Sequence, residues 1–273
     1  MSKTFAIIGD PIDHSLSPNI HSAAFRELNL DCSYIAYRIP KGELEDGIES
    51  LKKIKIEGFN VTIPHKVEMM RYLDVMDESC SIIGAVNTVS NKDGILKGYN
   101  TDMDGFLEPF KKRNLKVKDS KILLLGAGGA ARAIITGFAK EHAQCITIAN
   151  RTLENANNMV KFSNKIGLNA NAIKLDSVGD TAKNYDVIVN ATSVGLKNEP
   201  SPISMDGVNS KTIVYDIVYM PINTDFIKKA KEVGATVIYG YEMLLGQAVR
   251  AFEIWHGMEA PYNAMKKALL GGT

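Results

Sequence analysis

The sequence predicts an α/β protein with two domains, and three observations support this prediction. First, short apolar runs alternate with amphipathic stretches from Phe5 to Ile63, in the order strand, helix, strand, helix, strand. Such alternation is typical of a mostly parallel sheet. Second, the same alternation starts again at Lys121. Third, a chain of 273 residues with 45% hydrophobic residues approaches the size at which one core tends to divide into two.

The predicted elements follow from these patterns. In the first series we expect strands at residues 5–8, 34–39 and up to 63, and helices at 18–28 and 43–54. A helix at 103–113 precedes the second series, which contains strands at 121–125, 145–149, 186–189 and 212–217 and helices at 129–140 and from Leu153. After Val237 the pattern becomes helical, and two helices need another surface to cover. The predicted domains are therefore residues 1–102 with 240–273, and residues 103–239.

Charge and composition favour a small-molecule partner. The formal net charge is +1, and basic residues do not alternate with aromatic residues in a run that would suit nucleic acid. The stretch of residues 122–139 is apolar, but it contains Arg132 and several glycines, so a buried strand followed by a helix explains it better than a membrane span. We expect no nucleic-acid and no membrane partner.

The termini and the cysteines indicate a cytoplasmic protein. Only a five-residue apolar stretch precedes Asp10, which is too short for the core of a signal peptide. Cys32, Cys80 and Cys145 are far apart in sequence and form no CxxC pair, so we expect reduced thiols. No histidine spacing indicates a metal site, and His65 is interpreted as structural. We expect a monomer or homodimer without a metal.

A glycine-rich segment predicts a dinucleotide site. The segment GAGGAA follows an apolar strand and opens a helix, and it matches G-x-G-x-x-A with Gly126, Gly128 and Ala131. Gly126 would permit the tight turn, and Gly128 would let the backbone approach a pyrophosphate at the helix N-terminus. Ala131 would keep helix and strand close. We expect Ala127, Gly129 and Ala130 to take part, and we assign the second domain to the Rossmann type.

The next strand favours NADP over NAD. An NAD site usually has an acidic residue about 20 residues after the glycines, where it binds the ribose 2′-hydroxyl. Here the strand ends in Asn150, Arg151 and Thr152. A guanidinium attracts a 2′-phosphate, whereas a carboxylate would repel it. These three residues are therefore assigned to NADP binding.

A polar set near the first domain's strand ends predicts the reacting site. In NVTIPHK, Asn60 and Thr62 share one face of a strand, and Lys66 follows just beyond its carboxyl end, where open α/β sheets bind ligands. Asn87 in GAVNTV and Asp102 in GYNTDMDGF add further polar groups. A lysine and an aspartate that meet there could hold and protonate a carbonyl oxygen. Taken alone, Lys66 would be interpreted as a surface lysine and Asp102 as a helix cap.

Two serines near the N-terminus predict a binding site for a carboxylate. In HSLSP, Ser15 and Ser17 lie on the same side of an extended segment, just before a helix that starts at Pro18. Hydroxyls beside the N–H groups of a helix N-terminus suit an anion. The alternative for Ser17 is plain helix capping.

The motifs in chain order resemble those of the shikimate dehydrogenase family. They are HSLSP, NVTIPHK, GAVNT, GYNTDMDGF, GAGGAA, NRT, NATSVG, DIVY and GYEMLLGQA, and they span nearly the whole chain. The resemblance implies NADPH-dependent reduction of 3-dehydroshikimate to shikimate in aromatic amino-acid biosynthesis. It also implies a cleft between a discontinuous substrate domain and a Rossmann-type domain.

The resemblance implies a role for each matching residue. Lys66 and Asp102 would be the catalytic pair, and Ser15 and Ser17 would bind the ring carboxylate. The ring substituents would be hydrogen-bonded by Asn60, Thr62, Asn87, Tyr219 and Gln247. The nicotinamide would face the Ile217 backbone, Gly240 and Met243, and Glu78 is a weaker candidate for cofactor contact.

One departure from the family pattern bears on cofactor choice. NADP-type members often carry another arginine three residues after the threonine of NRT, and this chain has Asn155 there, next to Glu154. The 2′-phosphate would then meet a single guanidinium and a nearby negative charge, which leaves the strictness of NADP over NAD open.

The same motifs allow other interpretations of the function. One is an NAD-dependent quinate/shikimate dehydrogenase, and another is a non-catalytic NADP-binding sensor. A third, a glutamyl-tRNA reductase, would need a nucleophilic cysteine, and none of the three cysteines has such a setting.

Overall fold

The computed structural model describes residues 2–271, without the side chain of Asp180. The chain forms two compact units. The terminal unit comprises the residues up to Thr101 together with those from Leu245 onward, and the central unit comprises Asp102–Leu244. The sequence prediction places these borders after residue 102 and before residue 240. The second border falls inside one continuous helix that begins at Gly240.

Strands and helices alternate along most of the chain. The strands are β1 (Lys3–Gly9), β2 (Cys32–Arg38), β3 (Gly58–Val61), β4 (Val75–Met76), β5 (Thr88–Lys92), β6 (Ile95–Tyr99), β7 (Lys121–Leu125), β8 (Cys145–Asn150), β9 (Ala170–Lys174), β10 (Val187–Asn190), β11 (Ile213–Asp216) and β12 (Thr236–Ile238). The α-helices are α1 (Ser17–Glu27), α2 (Leu44–Lys53), α3 (Glu78–Ile83), α4 (Asp102–Lys112), α5 (Ala131–Lys140), α6 (Leu153–Lys165), α7 (Asp225–Glu232), α8 (Gly240–His256) and α9 (Tyr262–Leu269). Short 3₁₀ helices cover Glu68–Tyr72, Leu175–Ser177 and Gly179–Asn184.

The terminal unit contains a mixed sheet in the order β2-β1-β3-β5-β6-β4. Strands β1, β2 and β3 are parallel, as expected, whereas β5 is antiparallel to both β3 and β6. A two-residue turn of Asp93 and Gly94, both at positive φ, joins β5 to β6. This conformation is typical of a type I′ hairpin, in which Asp-Gly is favoured.

Helix α1, the part of α8 from Leu245 onward and helix α9 belong to the terminal unit. Phe5 of β1 lies against Phe25 of α1 and Trp255 of α8, with ring centroids 5.7 and 5.0 Å apart. The Trp255 indole also donates a hydrogen bond to the Val89 carbonyl at 2.9 Å. A side chain at Gly58 would collide with this indole. Helix α8 is therefore packed on the N-terminal sheet, and α9 packs against α1, so the termini of the chain share one core.

The central unit contains a fully parallel sheet in the order β9-β8-β7-β10-β11-β12. Counted from β7, this is the order 3-2-1-4-5-6 of a doubly wound dinucleotide-binding fold. The order reverses between β7 and β10, and ligands bind at the carboxyl ends of the strands beside such a point. The predicted Rossmann-type architecture is confirmed.

Several predicted elements differ from the structure. Strand β3 ends at Val61 rather than Ile63, because the chain turns at Thr62. The segment after Val237 is not helical throughout: β12 extends to Ile238, and residues 257–261 separate α8 from α9. Within the described residues, no helix is both long and apolar enough to cross a membrane. The apolar stretch of residues 122–139 forms β7 and α5 instead.

Candidate active site

A tight turn after β3 places Lys66. The His65 N–H donates to the Thr62 carbonyl at 2.9 Å, and the buried His65 ring contacts the Ile39 carbonyl through Nε2 at 2.6 Å. The Lys66 carbonyl accepts the Val86 N–H at 2.8 Å. The backbone that carries Lys66 is thus fixed on both sides, while its side chain is only half-buried. His65 has the structural role expected from the sequence.

Asn87 fixes the backbone that leads to Asp102. Its Oδ1 accepts the Thr101 N–H at 2.8 Å, and its Nδ2 lies 3.1 Å from the Thr101 hydroxyl. Asp102 follows directly as the first residue of α4 and is 9% exposed. Since Val86 binds the Lys66 carbonyl and Asn87 binds Thr101, two adjacent residues hold the attachment points of both predicted catalytic side chains.

The two serines occupy the segment at the start of α1. The Ser15 hydroxyl accepts the Ser17 N–H at 3.3 Å. Ser17 is the first residue of α1 and is 4% exposed, and its side chain does not cap the helix. The capping alternative for Ser17 is therefore not what the structure shows. Ser15 remains half-buried at the helix N-terminus.

Asn60 is a buried residue of β3 whose side-chain amide is hydrogen-bonded within the protein. Its Oδ1 accepts the Tyr34 hydroxyl at 2.6 Å, and its Nδ2 donates to the Asn87 carbonyl and the Thr88 hydroxyl at 3.2 and 3.0 Å. With 4% exposure, the amide already has protein partners for both donors and for its oxygen. The amide therefore helps to order Asn87 and Thr88 next to the predicted ring-binding residues.

The remaining predicted substrate residues are divided between the two units. Thr62 is half-buried in the turn before Lys66, and its N–H donates to the Ile8 carbonyl at 2.9 Å. Gln247 is 9% exposed on the part of α8 that belongs to the terminal unit. Tyr219 is 36% exposed and lies in the central unit, after β11.

The glycine-rich loop combines one glycine that its backbone requires with two that border open space. Gly126 adopts φ of +104°, and a Cβ there would lie 2.9 Å from the Ala191 carbonyl oxygen. A Cβ at Gly128 or Gly129 would meet no atom within 4 Å. Gly126 is therefore required by the turn itself, whereas the two following glycines border open space beside the N-terminus of α5. Ala131 is fully buried, as close packing of α5 on β7 requires.

The end of β8 carries the predicted adenosine-side residues. Strand β8 pairs with β7 in parallel, and the Ala149 carbonyl accepts the Gly126 N–H at 2.8 Å. Asn150 Nδ2 donates to the Thr152 carbonyl at 2.9 Å, which orders the turn into α6. Arg151 and Asn155 are both exposed there. Arg151 thus follows β8 at the carboxyl end of the sheet, where the glycine-rich loop follows β7.

A buried carboxylate, to which no role is assigned from the sequence, orders the adjacent strand ends. Asp216 accepts hydrogen bonds from Asn190 Nδ2 and the Val218 N–H at 2.9 and 3.0 Å, and from the Thr224 hydroxyl at 2.5 Å. Burial raises the pKa of Asp216 to about 6, although these hydrogen bonds pull it down. The acid of DIVY and the asparagine of NATSVG are the signals that could have identified this pair.

Two of the predicted nicotinamide residues, Ile217 and Gly240, lie at the loop that follows Asp216. The Ile217 N–H donates to the Asn190 carbonyl at 3.0 Å. A Cβ at Gly240 would collide with the backbone of Val218, so α8 can begin against this loop only with glycine. Met243 is 8% exposed in the same unit. Glu78, by contrast, is an exposed residue of the terminal unit, at the first position of α3.

The described part of the chain contains no candidate metal site. There, no group of three or more histidine, cysteine or acidic residues could hold a metal ion. The three cysteines carry unpaired thiols, and burial raises the pKa of Cys80 to about 12, which makes it a poor nucleophile.

Comparison with known families identifies the chain's relatives. Residues 7–89 match the shikimate dehydrogenase substrate binding domain, residues 110–204 match the shikimate/quinate 5-dehydrogenase family, and residues 240–270 match the shikimate 5′-dehydrogenase C-terminal domain. Together these matches cover most of both units.

Several individual proteins are similar to this chain over nearly its full length. The shikimate dehydrogenase (NADP⁺) of Nitrosopumilus maritimus is 78% identical over 272 residues, covering 100% of both chains. The crystal structure of the Thermus thermophilus enzyme with NADP(H) and shikimate has a TM-score of 0.88 at 34% identity, covering 99% of this chain and 100% of that one. A 5-ketofructose reductase from Gluconobacter sp. strain CHM43 has a TM-score of 0.92 at 33% identity, with 99% coverage of each chain. The chain therefore belongs to the shikimate dehydrogenase family.

Proposed function

We propose that this protein catalyses the reversible, NADPH-dependent reduction of 3-dehydroshikimate to shikimate, in the pathway that leads to the aromatic amino acids. The 78% identity to a shikimate dehydrogenase (NADP⁺) over the full chain carries this proposal. The polar residues around Lys66, and the glycine-rich loop of the central unit, provide the chemical groups that such a reaction needs.

Lys66 and Asp102 are the proposed catalytic residues. Reduction of a ketone places a hydride on its carbon and requires a proton on its oxygen, so an acidic group must be within hydrogen-bonding reach of that oxygen. A lysine ammonium can donate this proton and stabilise the developing negative charge. The carboxylate of Asp102 would orient the ammonium and favour its protonated form, and the two groups would then titrate as one unit. The anchoring of Lys66 and Thr101 on Val86 and Asn87 supports these roles.

The proposed substrate contacts follow the polar groups of the terminal unit. Ser15 and Ser17 would bind the ring carboxylate, because their hydroxyls lie at the N-terminus of α1, where the helix dipole favours an anion. Thr62, Asn87, Tyr219 and Gln247 would bind the ring hydroxyls. Asn60 would bind a ring hydroxyl as well, and its amide also positions Asn87 and Thr88 through hydrogen bonds.

The proposed cofactor is NADP. Gly126, Ala127, Gly128, Gly129 and Ala130 would bind its pyrophosphate, because the Cβ positions of Gly128 and Gly129 are open and α5 begins beside them. Asn150, Arg151, Thr152 and Asn155 would surround its 2′-phosphate. The Ile217 backbone, Gly240 and Met243 would border the nicotinamide, and Glu78 is a weaker candidate. When bound, NADPH supplies the hydride.

A kinetic comparison tests the proposal. Turnover of 3-dehydroshikimate with NADPH, followed at the nicotinamide absorbance, is compared with turnover with NADH, and shikimate oxidation is compared with quinate oxidation. The proposal expects the highest kcat/KM for the shikimate pair with NADP(H). A higher value for quinate with NAD would support the alternative quinate dehydrogenase, and 5-ketofructose is a third substrate to compare. Absence of any turnover would support the non-catalytic sensor.

We also propose that the protein is a cytoplasmic monomer or homodimer. The three cysteines carry thiols rather than disulfides, as reducing compartments favour. Light scattering coupled to size-exclusion chromatography would determine the oligomeric state, and a mass above twice 29.9 kDa would contradict this proposal.

A further inference from the structure

Tyr34 lies on the covered face of the terminal unit's sheet. It belongs to β2, is 6% exposed, and stacks on the His21 ring of α1 with centroids 4.5 Å apart and planes 4° from parallel. The Trp255 ring of α8 lies 6.2 Å away. A phenylalanine could make the same ring contacts, so packing alone does not explain the hydroxyl group.

The Tyr34 hydroxyl begins a series of buried hydrogen bonds. It donates to Asn60 Oδ1 at 2.6 Å, and Asn60 Nδ2 donates to the Thr88 hydroxyl at 3.0 Å. The Thr88 hydroxyl donates to Asn87 Oδ1 at 3.1 Å, and the same oxygen accepts the Thr101 N–H. We call Asn60, Asn87, Thr88 and Thr101 the amide cluster.

The Ser17 side chain also lies near the Tyr34 hydroxyl. Burial raises the pKa of Tyr34 well above its usual value, and a hydrogen bond with the Ser17 side chain acts in the opposite direction. Ser17 is the proposed carboxylate ligand, and Asn87 is a proposed ring ligand. One phenol therefore contacts one end of the proposed substrate site and connects, through Asn60, to the other.

We propose that Tyr34 is a positioning residue for substrate binding, which holds Ser17 and the amide cluster in the mutual arrangement that fits a cyclic hydroxy-carboxylate. This inference rests on the proposed function. Tyr34 itself does not touch the reacting atoms: its ring is enclosed by His21 and Trp255, and its hydroxyl is used by Asn60 and Ser17.

The effect expected from this role is on binding rather than on chemistry. Removal of the hydroxyl would leave the buried Asn60 oxygen without its donor, and an unsatisfied buried group relaxes or distorts its neighbours. Ser17 would lose a partner in the same change. The Lys66 carbonyl accepts the Val86 N–H, and Val86 lies one residue outside the amide cluster, so we expect a smaller effect on kcat than on shikimate binding.

The test is the Tyr34→Phe variant, which keeps the aromatic ring. We expect the KM and the calorimetric Kd for shikimate to rise about tenfold, while kcat changes by less than about threefold and the KM for NADPH stays constant. The matched control is Tyr37→Phe, which removes a hydroxyl from the half-buried tyrosine of the same strand. The control should leave every kinetic constant unchanged.

The outcomes separate this inference from the proposed function. Wild-type enzyme without turnover of 3-dehydroshikimate would contradict the proposed function itself. Wild-type turnover together with an unchanged shikimate KM and Kd in Y34F would contradict only the positioning role, even if the melting temperature fell. If Y34F does not fold, Thr88→Val removes a hydroxyl from the amide cluster while keeping the side-chain shape. It should also raise the shikimate KM, and an unchanged value would overturn the inference.

Discussion

Asn87 accepts the backbone N–H of Thr101 at 2.8 Å, while the preceding residue, Val86, donates its own N–H to the Lys66 carbonyl. A single dipeptide between α3 and β5 therefore holds the chain on both sides of the proposed chemistry. Rigid support of this kind is what a catalytic group needs, because small displacements of a reacting group cost large factors in rate.

Lys66→Ala should lower kcat by about 10²-fold or more, with a smaller change in the KM for shikimate. The reason is that the variant cannot protonate the ketone oxygen or stabilise charge on it. Steady-state kinetics measures both constants, and the exposed Lys53→Ala variant of α2 is the matched control. An unchanged kcat in K66A would remove the lysine from the chemical step.

The glycine-rich loop allows a paired prediction. Gly126→Ala should destabilise the fold by about 1–3 kcal/mol, because the residue has positive φ and its Cβ would approach the Ala191 carbonyl. Gly128→Ala should leave the melting temperature nearly unchanged, since its Cβ meets open space, but it should raise the KM for NADPH. Thermal unfolding and cofactor kinetics distinguish the two. A G128A variant with normal NADPH kinetics would argue against a pyrophosphate in this loop.

Cofactor selectivity should depend on Arg151. Arg151→Ala should raise the KM for NADPH about tenfold or more and leave the KM for NADH nearly constant, because only NADPH carries the 2′-phosphate. Asn155→Arg should act in the opposite direction by adding a second guanidinium to the first turn of α6. The ratio of kcat/KM for the two cofactors is the measurement, and NADH serves as the internal control. Equal effects on both cofactors would place the guanidinium away from the phosphate.

Stability should fall as the pH drops below neutrality. Burial lowers the pKa of His21 to about 3, with a smaller contribution from His256, and burial followed by the charge of Lys3 lowers the pKa of His256 to about 4. A histidine in the unfolded chain has a pKa of about 6.5. Between that pH and the lowered pKa of each folded histidine, the unfolded chain binds more protons than the folded chain, so acid favours unfolding. The raised pKa of Asp216 has the opposite effect on stability: between about pH 4 and pH 6 the folded chain binds more protons at this carboxyl group, so acid favours the folded state. Asp216 is a single group, whereas two histidines favour unfolding in acid.

The melting temperature at about pH 7 and pH 5 measures this effect. We expect a lower value at pH 5, and a smaller difference in His256→Phe, which keeps the ring contact with Phe252 at 4.3 Å. Equal melting temperatures at the two pH values in the wild type would contradict the account of the buried histidines.

The sequence predicted the architecture well where apolar periodicity is strong. Strand β7 and helix α5 follow from an unbroken apolar run and a glycine turn, and the parallel sheet follows from the alternation. The β5–β6 hairpin was not predicted, because the polar residues of β5 obscure the strand alternation, although Asp93-Gly94 is a recognisable turn signal. Helix α7 and strand β12 were missed as short elements within a polar stretch.

The candidate site also contains residues that the sequence identified and contacts that it could not show. Motifs identified Lys66, Asn87 and the glycine-rich loop, because these residues carry recognisable side-chain chemistry. They could not show that Asn60 is buried and satisfied, since that depends on Tyr34 of β2 and Thr88 of β5 in three-dimensional contact. They also could not show that Asp216 orders the loops beside the glycines, because its partners come from separate strands.

The most direct test of the central claim is a double-mutant cycle on Lys66 and Asp102. Asp102→Asn keeps the size of the side chain, and Asp104→Asn, two residues further along α4, is its matched control. If both groups act as one unit on the ketone oxygen, each single variant should lower kcat by about 10²-fold or more, and the double variant should lose little beyond the worse single variant. Losses that multiply in the double variant would show that the two side chains act independently, and would contradict the account.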